Sequence, residues 1–100
     1  MAVKLLKLTT GEEVVADVSK TEAGLNVAGG YTCKYPVRIV ATREGLGIVP
    51  WSPFLKEQSI FIPESHVIFT GEVDDEIANG YNSKFGSGIV VASSLSDLVT

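Results

Sequence analysis

His66 is the only histidine of this chain and Cys33 its only cysteine, so a metal site built from several imidazole or thiolate ligands is excluded. Ser65 stands directly before His66. Neighbours in an extended chain point to opposite sides, so the two do not form a nucleophile–base pair by themselves. No acid nearby is placed to orient the imidazole, and a loop-tip or interface role outweighs general-base chemistry for His66. Glu72, Asp74, Asp75 and Glu76 crowd into five positions. They lack the alternating oxygen ligands and mid-loop glycine of a calcium loop, and a solvated helix start accounts for them more simply. The pairs Gly45/Gly47 and Gly86/Gly88 come without a phosphate-loop lysine and read as turns. Hydrolysis by Ser65 or by the carboxylates is a distant third reading. The sequence predicts no enzyme, no cofactor and no metal.

Two other features point to recognition. Lys34, Arg38 and Arg43 are interleaved with Tyr31 and Tyr35, and cations beside stacking rings suit single-stranded nucleic acid. The ordinary solvated face of a strand competes with that reading, because Lys34 and Arg38 share a face only if the strand stays regular across Pro36. Trp51 and Phe54 sit in a loop braced by Pro50 and Pro53. Exposed together they form a candidate interaction patch with a low ordering cost, while packing on the chain's own core is the blander alternative.

Elements must hold these residues in place. One hundred residues with 45% apolar and 20% charged side chains describe one compact domain. A net charge of −4 argues against binding duplex DNA mainly by phosphate neutralisation. No apolar run reaches the ~18–20 residues of a membrane-spanning helix, and Lys4 and Lys7 interrupt the start, which argues against a signal-peptide core. A single cysteine makes the cytosol the default compartment.

Short strands with frequent turns dominate the first three quarters. Val3 to Leu8 and Glu13 to Val18 read as strands across Thr9-Thr10-Gly11. Leu25 and Val27 alternate with Asn26 and Ala28 and open a third, interrupted by a bend at Gly29-Gly30 and resuming from Tyr31 to Ala41. Pro36 marks a strand start or an edge. Gly45-Leu-Gly47 reads as a turn, and Ser59 to Ile62 and His66 to Thr70 as two further strands. Asp74 caps a helix over about Asp75 to Phe85, with Ile77, Tyr81 and Phe85 on one face and Gly86 ending it. Ile89 to Ala92 is a candidate last strand before a polar tail. The predicted class is all-β with one short C-terminal helix: five short, bent antiparallel strands in a small barrel over residues 1–73, with residues 74–100 packed on it.

Leu8-Thr-Thr-Gly-Glu-Glu-Val-Val-Ala-Asp-Val18 followed by Leu25-Asn-Val27 resembles the first conserved block of Sm-like proteins. Ile60-Phe-Ile-Pro-Glu-Ser-His-Val-Ile-Phe69 occupies the place of the second block. Tyr35 to Val40, Gly45 to Phe54 and Asp75 to Gly86 look like small Sm-like proteins of tailed marine phages. The resemblance implies a strongly bent five-stranded barrel, SH3-like in architecture, that closes into a homomeric ring of about five to seven subunits. It also implies pairing of the fourth strand with the neighbour's fifth, with Ile60, Ile62, Val67 and Phe69 at the subunit interface. RNA is expected near the pore, on the loops after the second and fourth strands, where only Asn26 matches a family contact position. The departures are specific. The turn from Ser19 to Gly24 lacks the family's acidic partner, Leu25 stands where an aromatic ring often stacks on a base, and Ser65-His66 replaces an arginine–glycine pair. The usual uridine pocket thereby loses charge and platform.

The leading expectation is a non-enzymatic Sm-like ring in the cytoplasm, that of the host for a phage-encoded chain. It binds single-stranded RNA weakly or with altered specificity, through Asn26, Ser65 and His66 with charge from Lys20. The alternative is an assembly ring without nucleic acid, in which Trp51, Phe54 and the acidic helix dock a host or phage protein. Neither reading involves a membrane.

Overall fold

The computed structural model describes residues 2–85; the expected strand from Ile89 to Ala92 and the polar tail lie outside the described residues. The chain is mostly antiparallel sheet with one helix: β1 (Val3–Leu8), β2 (Glu13–Thr21), β3 (Gly30–Thr42), β4 (Gly45–Pro50), β5 (Ser59–Pro63), a 3-10 turn (Glu64–His66), β6 (Val67–Glu72) and α1 (Asp75–Phe85). The path runs β4-β3-β2-β1-β6, with β5 also on β3. The long β3 carries two partners on one edge: Gly30–Lys34 pairs with β5, and Val37–Thr42 with β4. There are six strands rather than the five expected, and no pairing of β5 with β6 closes the sheet among the described residues.

Alternation explains why β1 and β2 read as almost continuously apolar. Leu6, Leu8, Val14, Ala16 and Val18 face one core with Cys33 and Ile62, while Val3, Leu5 and Val15 face the opposite side under α1 with Val37, Tyr81 and Phe85. Both faces of the sheet are therefore covered. The helix has the expected bounds, and its first turn is capped: the Glu76 amide donates to Asp74 Oδ1 at 2.9 Å.

Three local expectations are corrected. The third strand starts at Gly30, not Leu25: Leu25 and Asn26 form the tip of a tight turn closed by the Gly24–Val27 bridge, with Asn26 in the left-handed region at φ 62°. Gly45-Leu-Gly47 is strand, because the turn falls at Arg43-Glu44, where Thr42 Oγ1 accepts from the Glu44 amide (3.3 Å) and donates to the Gly45 carbonyl (2.8 Å). Pro36 is neither a strand start nor at an edge. It sits inside β3 at a bulge where Tyr35 and Pro36 face a single residue of β2, Ala16, and its lack of an N–H is tolerated there.

Candidate functional site

The structure sets the two expected pore loops side by side. The Glu64 amide donates to the Gly29 carbonyl at 3.1 Å, joining the 3-10 turn to the β2–β3 connection. Asn26 is exposed at the tip of that connection, beside Leu25, which is 91% exposed. Ser65 and His66 are exposed on the 3-10 turn, whose last carbonyl accepts from the Thr9 amide at 2.9 Å. Lys20 lies on β2 opposite Tyr31, and its ammonium stands 3.6 Å from Glu22. The connections therefore present one amide, one hydroxyl and one imidazole to solvent, next to a lysine that already has a carboxylate.

The four residues expected at a subunit interface divide. Ile62 is buried, and Ile60 and Val67 pack half-buried against the same core, so this chain covers them itself. Phe69 is 51% exposed. Phe61 and Ile68, both exposed, join it as outward-facing apolar side chains of β5 and β6. Period-two alternation along Ile60-Phe61-Ile62 is the signal that could have singled out Phe61. Among the described residues β5 pairs only with β3 and β6 only with β1, so each offers a free edge.

The loop between β4 and β5 separates its two aromatics. Trp51 packs half-buried on the core of Leu6, Val14 and Cys33, its amide donating to the Pro36 carbonyl (2.9 Å) and its Nε1–H to Glu12 Oε2 (2.9 Å). Phe54 is fully exposed. The loop carrying it is braced: the Gln58 amide nitrogen donates to the carbonyls of Ser52 and Leu55, and the Tyr35 amide donates to the Gln58 carbonyl at 2.7 Å. Tyr31 packs half-buried on the inner core, and Tyr35, also half-buried, stacks on Phe85 with ring centroids 5.1 Å apart.

Hydrogen bonds from Trp51 and Thr10, aided by the Arg38 charge, hold the Glu12 carboxyl below the usual glutamate range. A depressed carboxyl supports the folded arrangement above its unfolded value and loses that support as pH falls through the folded one. Trp51 emission is therefore expected to change in acid, with a midpoint below that of a free glutamate. Glu12→Gln should flatten that titration; an unchanged acid transition in Glu12→Gln would place its origin elsewhere.

Among the described residues no group of three or more His, Cys, Asp or Glu is arranged to hold a metal ion. Burial pushes the Cys33 thiol up to about 11, which keeps it protonated and unreactive near neutrality. In the acidic cluster, Asp74 caps α1 and Glu72 pairs with Lys4. No described helix is long and apolar enough to cross a membrane. Compared with known proteins, the chain matches no family model and no curated protein.

Proposed function

We propose that this chain is a non-enzymatic Sm-like subunit whose curled sheet serves as a small barrel and assembles head to tail into a homomeric ring. The observation that carries the reading is that β5 and β6, two of the three strands paired on one side only among the described residues (β4 is the third), are joined by one 3-10 turn and flanked by exposed Phe61, Ile68 and Phe69. Pairing β5 of one copy with β6 of the next satisfies both edges and repeats without leaving an open end. In Sm-like terms β4 is an addition that extends the bent third strand into a hairpin.

On such a ring the adjacent loops carrying Asn26 and Ser65-His66 face single-stranded RNA at the pore, with Lys20 adding charge. The net charge of −4 and the Lys20–Glu22 pair keep that binding weak. With Lys20 neutralising about one phosphate per site, affinity should fall roughly two- to threefold between about 50 and 200 mM salt. Fluorescence anisotropy with short oligo-U, oligo-A and DNA reads this directly, and Asn26→Ala combined with His66→Ala should abolish it. No binding at low salt removes the RNA reading. The fully exposed Phe54 on its braced loop favours the second reading, an assembly ring in the cytoplasm of the cell or of a phage host that docks a protein through this loop.

A further inference from the structure

A cleft of about 440 Å³ opens beside the apolar cluster under α1 and reaches to Trp51, which packs on the inner core. Its floor is Leu5, Val15 and Ile39, all members of that cluster. Lys7, Arg38 and Trp51 form its walls together with Glu12 and Glu13. Its lining does not include Asn26, Ser65 or His66, although the β1–β2 turn that supplies Gly11 and Glu12 bonds to the His66 carbonyl through the Thr9 amide.

The cleft holds two cations, Lys7 and Arg38, whose donors are not committed to hydrogen bonds, beside two carboxylates that keep acceptor capacity of their own. The Trp51 N–H is already given to Glu12, so the indole can offer a ligand only its π surface. Glu12 also accepts from Thr10 Oγ1 at 3.0 Å, so each of its oxygens holds one hydrogen bond and keeps a further lone pair. The Lys7 ammonium stands 3.9 Å from Glu13, too far for a hydrogen bond. The Arg38 guanidinium lies close enough to Glu12 to favour that carboxylate, yet among the described residues it makes no salt bridge or side-chain hydrogen bond. A planar fork of donors and a second cation select an anion with several acceptor oxygens. A fixed aromatic wall over an apolar floor selects a flat ring.

We infer that this cleft binds one nucleotide unit, its base against Trp51 and the apolar floor and its phosphate on Arg38 and Lys7. The volume falls within the range of pockets that enclose a small ligand. The same chemistry arises from a free mononucleotide or from one residue of a single strand. Glu13 competes for Lys7, so its charge weakens the site.

Trp51 is the only tryptophan, so its emission reports this cleft alone. The intact protein is titrated at low salt with AMP and, separately, with a short oligo-A. Saturable quenching by AMP supports a site for free nucleotides, and quenching by oligo-A alone supports a strand contact. In either case Arg38→Gln should weaken the titration about tenfold, and Glu13→Gln should tighten it. Absence of quenching by both probes overturns the inference. So does a titration that neither Arg38→Gln nor Lys7→Gln shifts while circular dichroism shows both variants folded. The mass of the assembly in solution does not depend on this cleft, so its failure leaves the ring reading standing.

Discussion

Tyr81→Ala is expected to destabilise the fold by about 3–5 kcal/mol, and Tyr81→Phe by about 1–3 kcal/mol. The ring of Tyr81 is completely buried, tilted against Phe85 at 4.9 Å between α1 and the sheet. Its hydroxyl reaches the bulge of β3, accepting from the Asp17 amide at 3.0 Å and lying within donating distance of the Lys34 and Tyr35 carbonyls, at 2.8 and 3.0 Å. Those are the backbone groups that the bulge takes out of the regular ladder. Burial and the Asp17 charge push the phenol's ionisation up, so it remains a neutral donor. Tyr35 also holds a left-handed backbone there, at φ 50°, which a tyrosine does not adopt without support. The alanine variant forfeits a large share of a stability of about 5–15 kcal/mol. Urea unfolding of the two variants separates hydroxyl from ring: a Tyr81→Phe midpoint equal to that of the parent would mean the bulge stands without its hydroxyl.

Gly30→Ala should break the pairing that holds β5 in place. A Cβ at Gly30 would lie 2.5 Å from Phe61 Cζ and 2.6 Å from the Ile62 carbonyl oxygen. The ring can swing away, but the carbonyl belongs to β5, which pairs here through Gly30–Pro63 and Tyr31–Ile62. Relief requires the strands to separate, and overpacking of this kind costs about 1–3 kcal/mol or more. Adding Phe61→Ala should restore little, because the backbone clash persists. Full recovery in the double variant would show that the aromatic ring, rather than the strand contact, sets the limit. Displacing β5 also removes one of the two proposed joining edges, so Gly30→Ala should dissociate the assembly under conditions where the chain remains folded.

Local patterns were legible where one residue type had one reading. The cap at Asp74 and the spacing of Ile77, Tyr81 and Phe85 placed α1 correctly, and the apolar run with interleaved lysines from Val3 to Leu8 placed β1. β2 runs three residues beyond Val18 because polar Ser19, Lys20 and Thr21 continue the register with Thr32, Tyr31 and Gly30. Leu25-Asn-Val-Ala28 alternates like a strand, but alternation does not reveal that Asn26 takes a left-handed turn conformation. Gly45-Leu-Gly47 carries turn residues, while the turn is made one step earlier by the Thr42 hydroxyl. The site features that escaped the sequence are those built across distance. Trp51 and Glu12 meet over 39 positions, and the cleft gathers β1, β2, β3 and the loop after β4. No window along the chain contains such a pattern.

Among the described residues, β5 and β6 are each paired on one side, with Phe61, Ile68 and Phe69 exposed. Light scattering on the purified protein over a dilution series tests what covers them. The account predicts a constant mass that is an integer multiple of 10.6 kDa, about five to seven copies. A mass of 10.6 kDa at every concentration contradicts it.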